Sequence, residues 1–241
     1  MFFPLYDKNP LKVIRFQMVT VTLLVLNVGI FLWMQFLMEP PVRHGLYLSF
    51  GLVPAVMTGK AALAEKLHLI PALASVVTYM FLHGGWMHLI GNMAFLWVFA
   101  DNVEDSFGHV GFLLFYIACG IVAGLFFLLF SPSARVPLVG ASGAISGVLA
   151  SYLVLFPRSR VFSVLGVVPI SLPALWLLLA WLAFNFFFFV TESVTGGGVA
   201  WVAHLGGFAA GLVFTLLLRN RLRLRLARGA ALRRQQQRRE V

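Results

Sequence analysis

Charged side chains are scarce in this sequence of 241 residues. Only 11% of the residues are Asp, Glu, Lys or Arg, whereas 61% are hydrophobic. Ordinary soluble domains carry about 25% charged residues, so this composition excludes a soluble globular protein, including a soluble hydrolase. The composition predicts a protein that lies in a membrane.

Cysteine and acidic residues are also rare. The single cysteine, Cys119, excludes an internal disulfide bond and gives no indication of a metal cluster. None of the eight acidic residues lies within the stretches 136–157 and 193–218. We therefore expect no metal and no cofactor, and no carboxylate at a site built from those two stretches.

Long uncharged stretches separate the few charged residues. They cover residues 16–38, 67–100, 106–134, 136–157, 161–191 and 193–218. About 20 apolar residues cross a membrane as a helix, so the sequence predicts six spans, the second interrupted by Pro71 and Gly84-Gly85. We expect an all-α, polytopic six-helix bundle with a membrane-associated loop between helices 1 and 2. An ordinary folded connector is the alternative for that loop.

The predicted organisation has three parts. They are a cytoplasmic N-terminal lead at residues 1–15, a six-helix domain at 16–218 and an Arg-rich cytoplasmic tail at 219–241. Helix 5 is expected to run from about Leu172 to Val190, and a flexible outer loop to follow at residues 195–198.

Helix 2 is predicted to begin near Gly85 or Trp86 and to end at Asp101. Asp101, Glu104 and Asp105 would then form a short cytoplasmic turn. These acids are expected to be solvated, or to cap helix 3, because a helix N-terminus favours negative charge.

The basic residues predict the orientation in the membrane. Six spans place both termini on one side, and that side carries fourteen of the eighteen Lys and Arg residues. By the positive-inside rule both termini are cytoplasmic. Nine of these residues are arginines of the tail, which we expect to contact anionic lipid headgroups rather than nucleic acid. A compact chain without an organelle-targeting presequence predicts the bacterial cytoplasmic (inner) membrane.

Helices 2, 4 and 6 each carry polar residues near the same predicted surface. Ser142 lies on helix 4, His204 on helix 6, and His88 and Asn92 share one face of helix 2. All lie within two turns, about 11 Å, of the outer end, so they are predicted to meet in a pocket that water can reach. Polar groups inside a membrane usually mark a function, although neighbouring carbonyl groups could also satisfy them.

Glycines would allow helices 4 and 6 to approach closely. Gly143 and Gly147 lie on helix 4, and Gly207 and Gly211 lie on helix 6. Small residues four apart are typical of membrane helix packing, which is also the alternative explanation for the sequence around Ser142. Close approach would let His204 accept the proton of the Ser142 hydroxyl group.

These residues predict a serine-histidine dyad, because no carboxylate is placed to complete a triad. The hydroxyl group of Ser142 would be the nucleophile and His204 its general base. Donors for a tetrahedral oxyanion could come from the backbone N–H of Ser142, the ring of His88 and the amide of Asn92.

Three motifs closely resemble those of the rhomboid intramembrane serine proteases. They are Gly140-Ala141-Ser142-Gly143-Ala144 on the fourth span, Ala203-His204-Leu205-Gly206-Gly207-Phe208 on the sixth, and His83, His88 and Asn92 on the second. The resemblance covers nearly the whole chain. It implies a rhomboid-like bundle with Ser142 as nucleophile, His204 as base, and His88 and Asn92 as oxyanion donors. The family cleaves transmembrane segments of other membrane proteins near the outer face, favouring small residues at the cut.

Two positions depart from the pattern of many members. A Trp-Arg pair of the first external loop is replaced by Leu73-Ala74-Ser75-Val76-Val77-Thr78, which leaves the anchoring of the loop open. The aromatic residue four positions after the nucleophile, which stacks on the base, is replaced by Ser146. His204 would then be held less firmly, or by another group.

The sequence thus predicts a rhomboid-type serine endopeptidase. The first alternative is a catalytically silent rhomboid-like protein that binds client transmembrane helices, although such proteins normally lack the serine or the histidine. A channel or small transporter is the second alternative, but it would more often carry charged residues or paired broken helices within its spans.

Overall fold

The computed structural model describes residues 2–195 and 200–237 of the chain. The helices are α1 (Met18–Leu37), α2 (Pro40–Phe50), α3 (Pro54–Met57), α4 (Ser75–Thr78), α5 (Trp86–Phe107), α6 (His109–Phe130), α7 (Ser142–Leu155), α8 (Ala174–Thr195) and α9 (Ala200–Gln237). The strands are β1 (Phe2–Asp7), β2 (Arg160–Leu165) and β3 (Val168–Pro173). Of the predicted flexible loop, Thr195 ends α8, and residues 196–198 lie outside the described part.

Four of the described helices, α1, α6, α8 and α9, are long and apolar enough to cross a membrane. The segment Glu65–Phe81 and α5 form a fifth crossing if they are counted as one span, and this span is bent by 78°. The bend lies where the glycine pair Gly84-Gly85 predicted an interruption. The chain is therefore an integral membrane protein, whereas the count of six crossings remains a prediction.

The fourth predicted span is a shorter helix than expected. The sequence indicated a helix from about residue 136, but α7 begins at Ser142 and has 14 residues, or about 21 Å. The preceding segment is extended because its backbone pairs with other parts of the fold. Leu52 and Leu138 exchange two backbone hydrogen bonds of 3.1 and 2.8 Å, and Gly140 N–H donates to the carbonyl of Tyr79.

The expectation of an all-α fold is wrong in one respect, because β1, β2 and β3 form an antiparallel sheet in that order. Residues 160–173 are rich in β-branched side chains and turn at Gly166, whose φ of 64° favours glycine. The sequence analysis placed these residues in the fifth uncharged stretch, before the predicted helix 5, and predicted no strands there. Helix α8 begins at Ala174, directly after β3 and two residues later than the predicted start at Leu172.

The loop between α1 and α5 is folded into short helices: α2, α3, α4 and three 3-10 turns. The last part of this loop, which has residues 73–78 in place of a Trp-Arg pair, is anchored by side-chain hydroxyl groups. The hydroxyl of Thr78 donates to the carbonyl of Phe50 at 2.6 Å, and that of Tyr79 donates to the carbonyl of Gly120 at 2.7 Å. Backbone acceptors on two other elements therefore fix the entry into α5.

The acidic turn predicted after Asp101 is instead the last part of α5. Glu104 and Asp105 are buried, and N–H groups near the N-terminus donate to their carboxylates. Residues 12 to 14 donate three backbone hydrogen bonds of 2.7 Å to Asp105. Residues 19 and 20 donate two of 2.9 and 2.8 Å to Glu104. The acids thus bind the start of α1 and the backbone of the lead, and Glu104 also contacts the ring of His109, the first residue of α6, at 2.5 Å. These bonds make their burial tolerable.

The predicted close approach of helices 4 and 6 is confirmed by α7 and α9. A Cβ atom built on Gly207 would overlap the carbonyl oxygen of Gly143, and one built on Gly211 would overlap that of Gly147. The two backbones are therefore in direct contact over two turns, which only glycine at these positions permits. This contact brings the N-terminal turns of α7 and α9 together.

Candidate active site

Ser142 is the first residue of α7, so its backbone N–H has no carbonyl of a preceding helical turn to bind. The chain enters the helix through Gly140, whose φ of 120° lies in the region that favours glycine. A Cβ atom at Gly140 would also lie only 2.6 Å from Nε2 of His88. The small residues around Ser142 are therefore required by backbone conformation and by the closeness of α5.

Ser142 and His204 lie within hydrogen-bond distance. The hydroxyl oxygen of Ser142 is 2.8 Å from Nε2 of His204, which lies in the second turn of α9. The glycine contacts of α7 and α9 set this distance, because they hold the two helix starts side by side. Such a pair has the geometry of a nucleophile and its general base.

The other ring nitrogen of His204 meets Asn185, a residue that the sequence analysis missed. Nδ1 of His204 is 2.7 Å from Oδ1 of Asn185, which is 1% exposed and lies in the middle of α8. In the sequence this residue is a single amide within a run of aromatic residues, 184–189, with no motif around it that indicates a site. The third partner is thus an amide, and it comes from α8, outside the two stretches that carry Ser142 and His204.

Ser146, at the position where many relatives carry an aromatic side chain, turns away from the histidine. Its hydroxyl donates to the carbonyl of Ser142 at 2.6 Å, within the same helix. The ring of His204 instead lies near two tryptophans, with ring centroids 6.1 Å away for Trp181 and 5.7 Å for Trp201. Aromatic contacts from α8 and α9, together with Asn185, hold the imidazole.

His88 and Asn92 occupy adjacent turns of α5 and line the same cavity as Ser142. The amide of Asn92 donates to the carbonyl of His88 at 3.0 Å, which leaves its second N–H without a partner in the described part of the chain. Gly84 N–H lies 3.4 Å from Nδ1 of His88, a weak contact in which the ring nitrogen accepts. The neutral ring of His88 would then carry its proton on Nε2, the nitrogen nearest Gly140.

His83 lies behind His88 and not in the site itself. It is buried, its ring is 5.2 Å from the ring of His88, and neither of its nitrogens has a hydrogen-bond partner among the described residues. The hydroxyl of Tyr47 donates to its carbonyl at 2.7 Å. His83 therefore packs against one of the predicted site residues.

All four predicted site residues line one cavity of about 340 Å³. The rest of its wall is mainly apolar, with Met87 and Phe95 from α5, Ile145 and Leu149 from α7, and Trp181 from α8. A cavity of this size and character, with a few convergent polar groups, is typical of a site that binds an apolar side chain. Among the described residues, no group of three or more His, Cys, Asp or Glu could hold a metal ion.

Comparison with known proteins gives a consistent result. A family model described as the Rhomboid domain matches residues 71–221. Rhomboid protein 1, mitochondrial, of Saccharomyces cerevisiae is 31% identical over 149 residues, which cover 58% of this chain and 40% of the yeast protein. The putative rhomboid protease YdcA of Bacillus subtilis is 31% identical over 144 residues, which cover 59% of this chain and 65% of that protein.

A shorter segment is similar to the rhomboid protease GluP of Bacillus subtilis, with 41% identity over 78 residues. It covers 32% of this chain and 15% of GluP. The matched segments thus span less than two thirds of the length of each of these three relatives. The family model, in contrast, includes Ser142, His204, Asn185, His88 and Asn92.

Proposed function

Because the chain belongs to the rhomboid family, we propose that it is an intramembrane serine endopeptidase. It cleaves transmembrane segments of other membrane proteins near the outer face of the membrane, by a Ser-His pair. The observation that carries the proposal is the 2.8 Å distance between the Ser142 hydroxyl oxygen and Nε2 of His204, at the wall of an apolar cavity.

Ser142 is the nucleophile in this mechanism. His204 Nε2 takes the hydroxyl proton while the serine oxygen forms a bond to the carbonyl carbon of the substrate peptide. The imidazolium then gives that proton to the leaving amine as the C–N bond breaks, which leaves an acyl-enzyme ester. A water molecule, deprotonated by His204, hydrolyses the ester and restores Ser142.

The oxyanion of the tetrahedral intermediate needs hydrogen-bond donors in fixed positions. We assign this role to the backbone N–H of Ser142, the Nε2–H of His88 and the second N–H of the Asn92 amide. Support comes from the position of Ser142 at the first residue of α7 and from the two α5 residues lining the same cavity. A shared cavity supports this assignment because an oxyanion formed at Ser142 would lie within the same space as the side chains of His88 and Asn92.

The proposed topology has six spans, with both termini in the cytoplasm and the site near the opposite surface. It rests on the excess of Lys and Arg on the side of the termini. The short helix α7 would serve as the fourth span, with the extended segment before it completing the crossing inside the protein. We assign the lead 1–15, the domain 16–218 and the tail 219–241 to the same regions as the sequence predicted, and the membrane to the bacterial cytoplasmic membrane.

The Arg-rich tail is proposed to contact anionic lipid headgroups. The last part of α9 packs on the lead at Gly229, and a cavity of about 440 Å³ between them is lined by Lys12, Arg15 and Arg233. Arg233 donates to the carbonyl of Ile14 at 2.6 Å, which fixes the tail beside the lead. Replacing Arg15 and Arg233 by Gln should weaken retention of phosphatidylglycerol during detergent washing, and equal retention would refute the contact.

Labelling with a fluorophosphonate probe tests the proposed chemistry, because the probe modifies only an activated serine. We expect the purified wild-type protein to be labelled and Ser142→Ala to remain unlabelled. Ser151→Ala is the matched control, since Ser151 is buried on the same helix and its hydroxyl has no partner among the described residues. A folded wild-type protein that resists the probe would instead favour the silent, client-binding alternative.

A further inference from the structure

Asn185 connects α8 to the candidate site by two hydrogen bonds of its side-chain amide. Its Oδ1 is 2.7 Å from Nδ1 of His204, and its Nδ2 donates to the carbonyl of Trp181 at 2.8 Å. The residue is buried, so water does not compete strongly for either bond. Neither contact is explained by a Ser-His pair alone.

The carbonyl of Trp181 fixes which way the amide faces. A carbonyl oxygen only accepts hydrogen bonds, so the group of Asn185 beside it must be the NH₂ and not the oxygen. The oxygen of Asn185 therefore faces His204. This assignment follows from donor and acceptor chemistry and does not depend on placing hydrogen atoms.

The orientation of the amide in turn fixes the tautomer of His204. Because Oδ1 of Asn185 is an acceptor, Nδ1 of His204 must carry the proton. In the neutral ring Nε2 then has a free lone pair, and this is the nitrogen 2.8 Å from the Ser142 hydroxyl. The opposite tautomer would place N–H against the serine and could not act as its base.

We propose that Asn185 is a positioning residue that holds His204 in the base-competent tautomer and orients its ring. The inference rests on the proposed protease function and extends it from a pair to a Ser-His-Asn relay across α7, α9 and α8. Asn185 does not touch the reacting atoms. Its carbonyl oxygen also stabilises the imidazolium that forms when Ser142 loses its proton, because Nδ1–H remains hydrogen-bonded.

A second buried asparagine provides a matched control. Asn27 on α1 is also buried, and its Nδ2 donates to the carbonyl four residues earlier, that of Leu23, at 2.7 Å. Its Oδ1, however, has no hydrogen-bond partner among the described residues. Asn27 and Asn185 thus share the bond to their own helix, and only Asn185 has the second bond to a histidine.

The test compares Asn185→Leu, Asn185→Asp and Asn27→Leu in cleavage of a model transmembrane substrate. Asn185→Leu should lower kcat about 10- to 100-fold, the factor that corresponds to losing a hydrogen bond to a charged group. KM should change by less than about twofold, since substrate contacts remain. Asn185→Asp, which keeps an acceptor, should recover most of the lost rate, and Asn27→Leu should keep the wild-type kcat.

Wild-type kcat in folded Asn185→Leu, or an equal loss in Asn27→Leu, would overturn the positioning role. If Asn185→Leu does not fold, ¹⁵N NMR of the wild-type histidine rings decides the matter. The expected spectrum has His204 protonated at Nδ1, and protonation at Nε2 in the neutral form would refute the inference. Failure of the wild type to react with the fluorophosphonate probe would refute the underlying protease function instead, so the two failures are distinguishable.

Discussion

The polar groups at the two ends of α5 have different kinds of hydrogen-bond partner. At its end, Glu104 and Asp105 accept five backbone N–H groups from the lead and the start of α1, and Glu104 also accepts the Thr20 hydroxyl at 2.6 Å. At its start, His88 and Asn92 bond only to nearby backbone of their own segment and face a cavity. We call the first group the acidic cluster and the second, with Ser142, His204 and Asn185, the site cluster.

The difference separates a structural role from a chemical one. In the acidic cluster the carboxylates are held by groups of the fold itself: backbone N–H groups, the Thr20 hydroxyl and the ring of His109, whose Nδ1 is 2.5 Å from Glu104. In the site cluster the side chains of His88, Asn92 and Ser142 line a cavity that a substrate could fill, although the Ser142 hydroxyl is already bonded to His204. A search for the functional site by charge alone would have selected the acidic cluster, although that cluster has the structural role. Hydrogen-bond donors that lack a partner among the described residues and lie at a cavity are the better indication of a functional site.

The largest expected effect tests the site cluster. Ser142→Ala and His204→Ala should each lower cleavage of a model transmembrane substrate on the order of 10⁴-fold or more, because each removes an essential member of one catalytic unit. Thermal unfolding should be nearly unchanged in Ser142→Ala, whereas His204→Ala also leaves the buried Asn185 oxygen without its partner and should be somewhat less stable. Normal turnover by either folded variant would remove the pair from the mechanism.

The oxyanion donors should have the next largest effect. His88→Ala and Asn92→Ala are expected to lower kcat about 10²- to 10³-fold, as observed when one oxyanion donor is lost. Substrate binding should change little. The rates are measured with the same substrate in detergent and in liposomes. Unchanged rates in both variants would show that His88 and Asn92 have no part in the chemistry. The proposed difference between the acidic cluster and the site cluster would then be wrong.

The acidic cluster should respond in the opposite manner. Glu104→Gln places an NH₂ group against backbone donors and should lower the free energy of unfolding by about 2–4 kcal/mol, because buried donors lose their acceptor. The kcat of protein that remains folded should stay close to that of the wild type. Glu65→Gln, at an exposed acid of the loop, is the control for loss of charge. A stable but inactive Glu104→Gln would assign the cluster a chemical role.

The smallest effect concerns Asp7 of β1, which accepts a hydrogen bond from the hydroxyl of Tyr152. Burial raises the pKa of Asp7 above its ordinary value of 3.8, although the bond to Tyr152 opposes the shift. Because the folded state then binds the proton more tightly, this group's contribution to stability is complete below about pH 4 and is lost as pH rises through the raised pKa.

Asp7→Asn should remove that pH dependence, because the amide does not titrate. It is measured as the difference between the thermal midpoints of variant and wild type from pH 3.5 to 8. A difference that is constant over this range would show that Asp7 titrates alike in the folded and unfolded states. Cleavage at a fixed pH should not change, because Asp7 belongs to neither cluster.

Much of the candidate site could be expected from the sequence because its signals are local. Ser142 lies among small residues, His204 is the only histidine of its stretch, and His88 and Asn92 are one helical turn apart. The glycines that bring α7 and α9 into contact were also visible as residues four apart. Asn185 could not be found in this way, because its role depends on a partner 19 residues away on another helix.

The errors in the fold have the same origin. The acids at 104 and 105 looked like a solvated turn because their donors lie 84 to 93 residues earlier in the chain. The start of α7 was placed too early because the pairing of Leu138 with Leu52 stops a helix that composition alone would allow. Strands β2 and β3 were not predicted, because they lie in an uncharged stretch in which absence of charge does not distinguish a hairpin from a loop or a helix.

By itself, the sequence determined that this protein lies in a membrane, where its apolar segments lie and which side chains are chemically capable of serine catalysis. These properties depend on composition and on spacings within single helices. The tertiary structure alone decided which polar groups have a hydrogen-bond partner and which line a cavity. That distinction depends on donors and acceptors that are distant in the chain. Hydrogen bonds across elements therefore distinguish the buried acids, which stabilise the fold, from the serine, histidine and asparagine that form the candidate site.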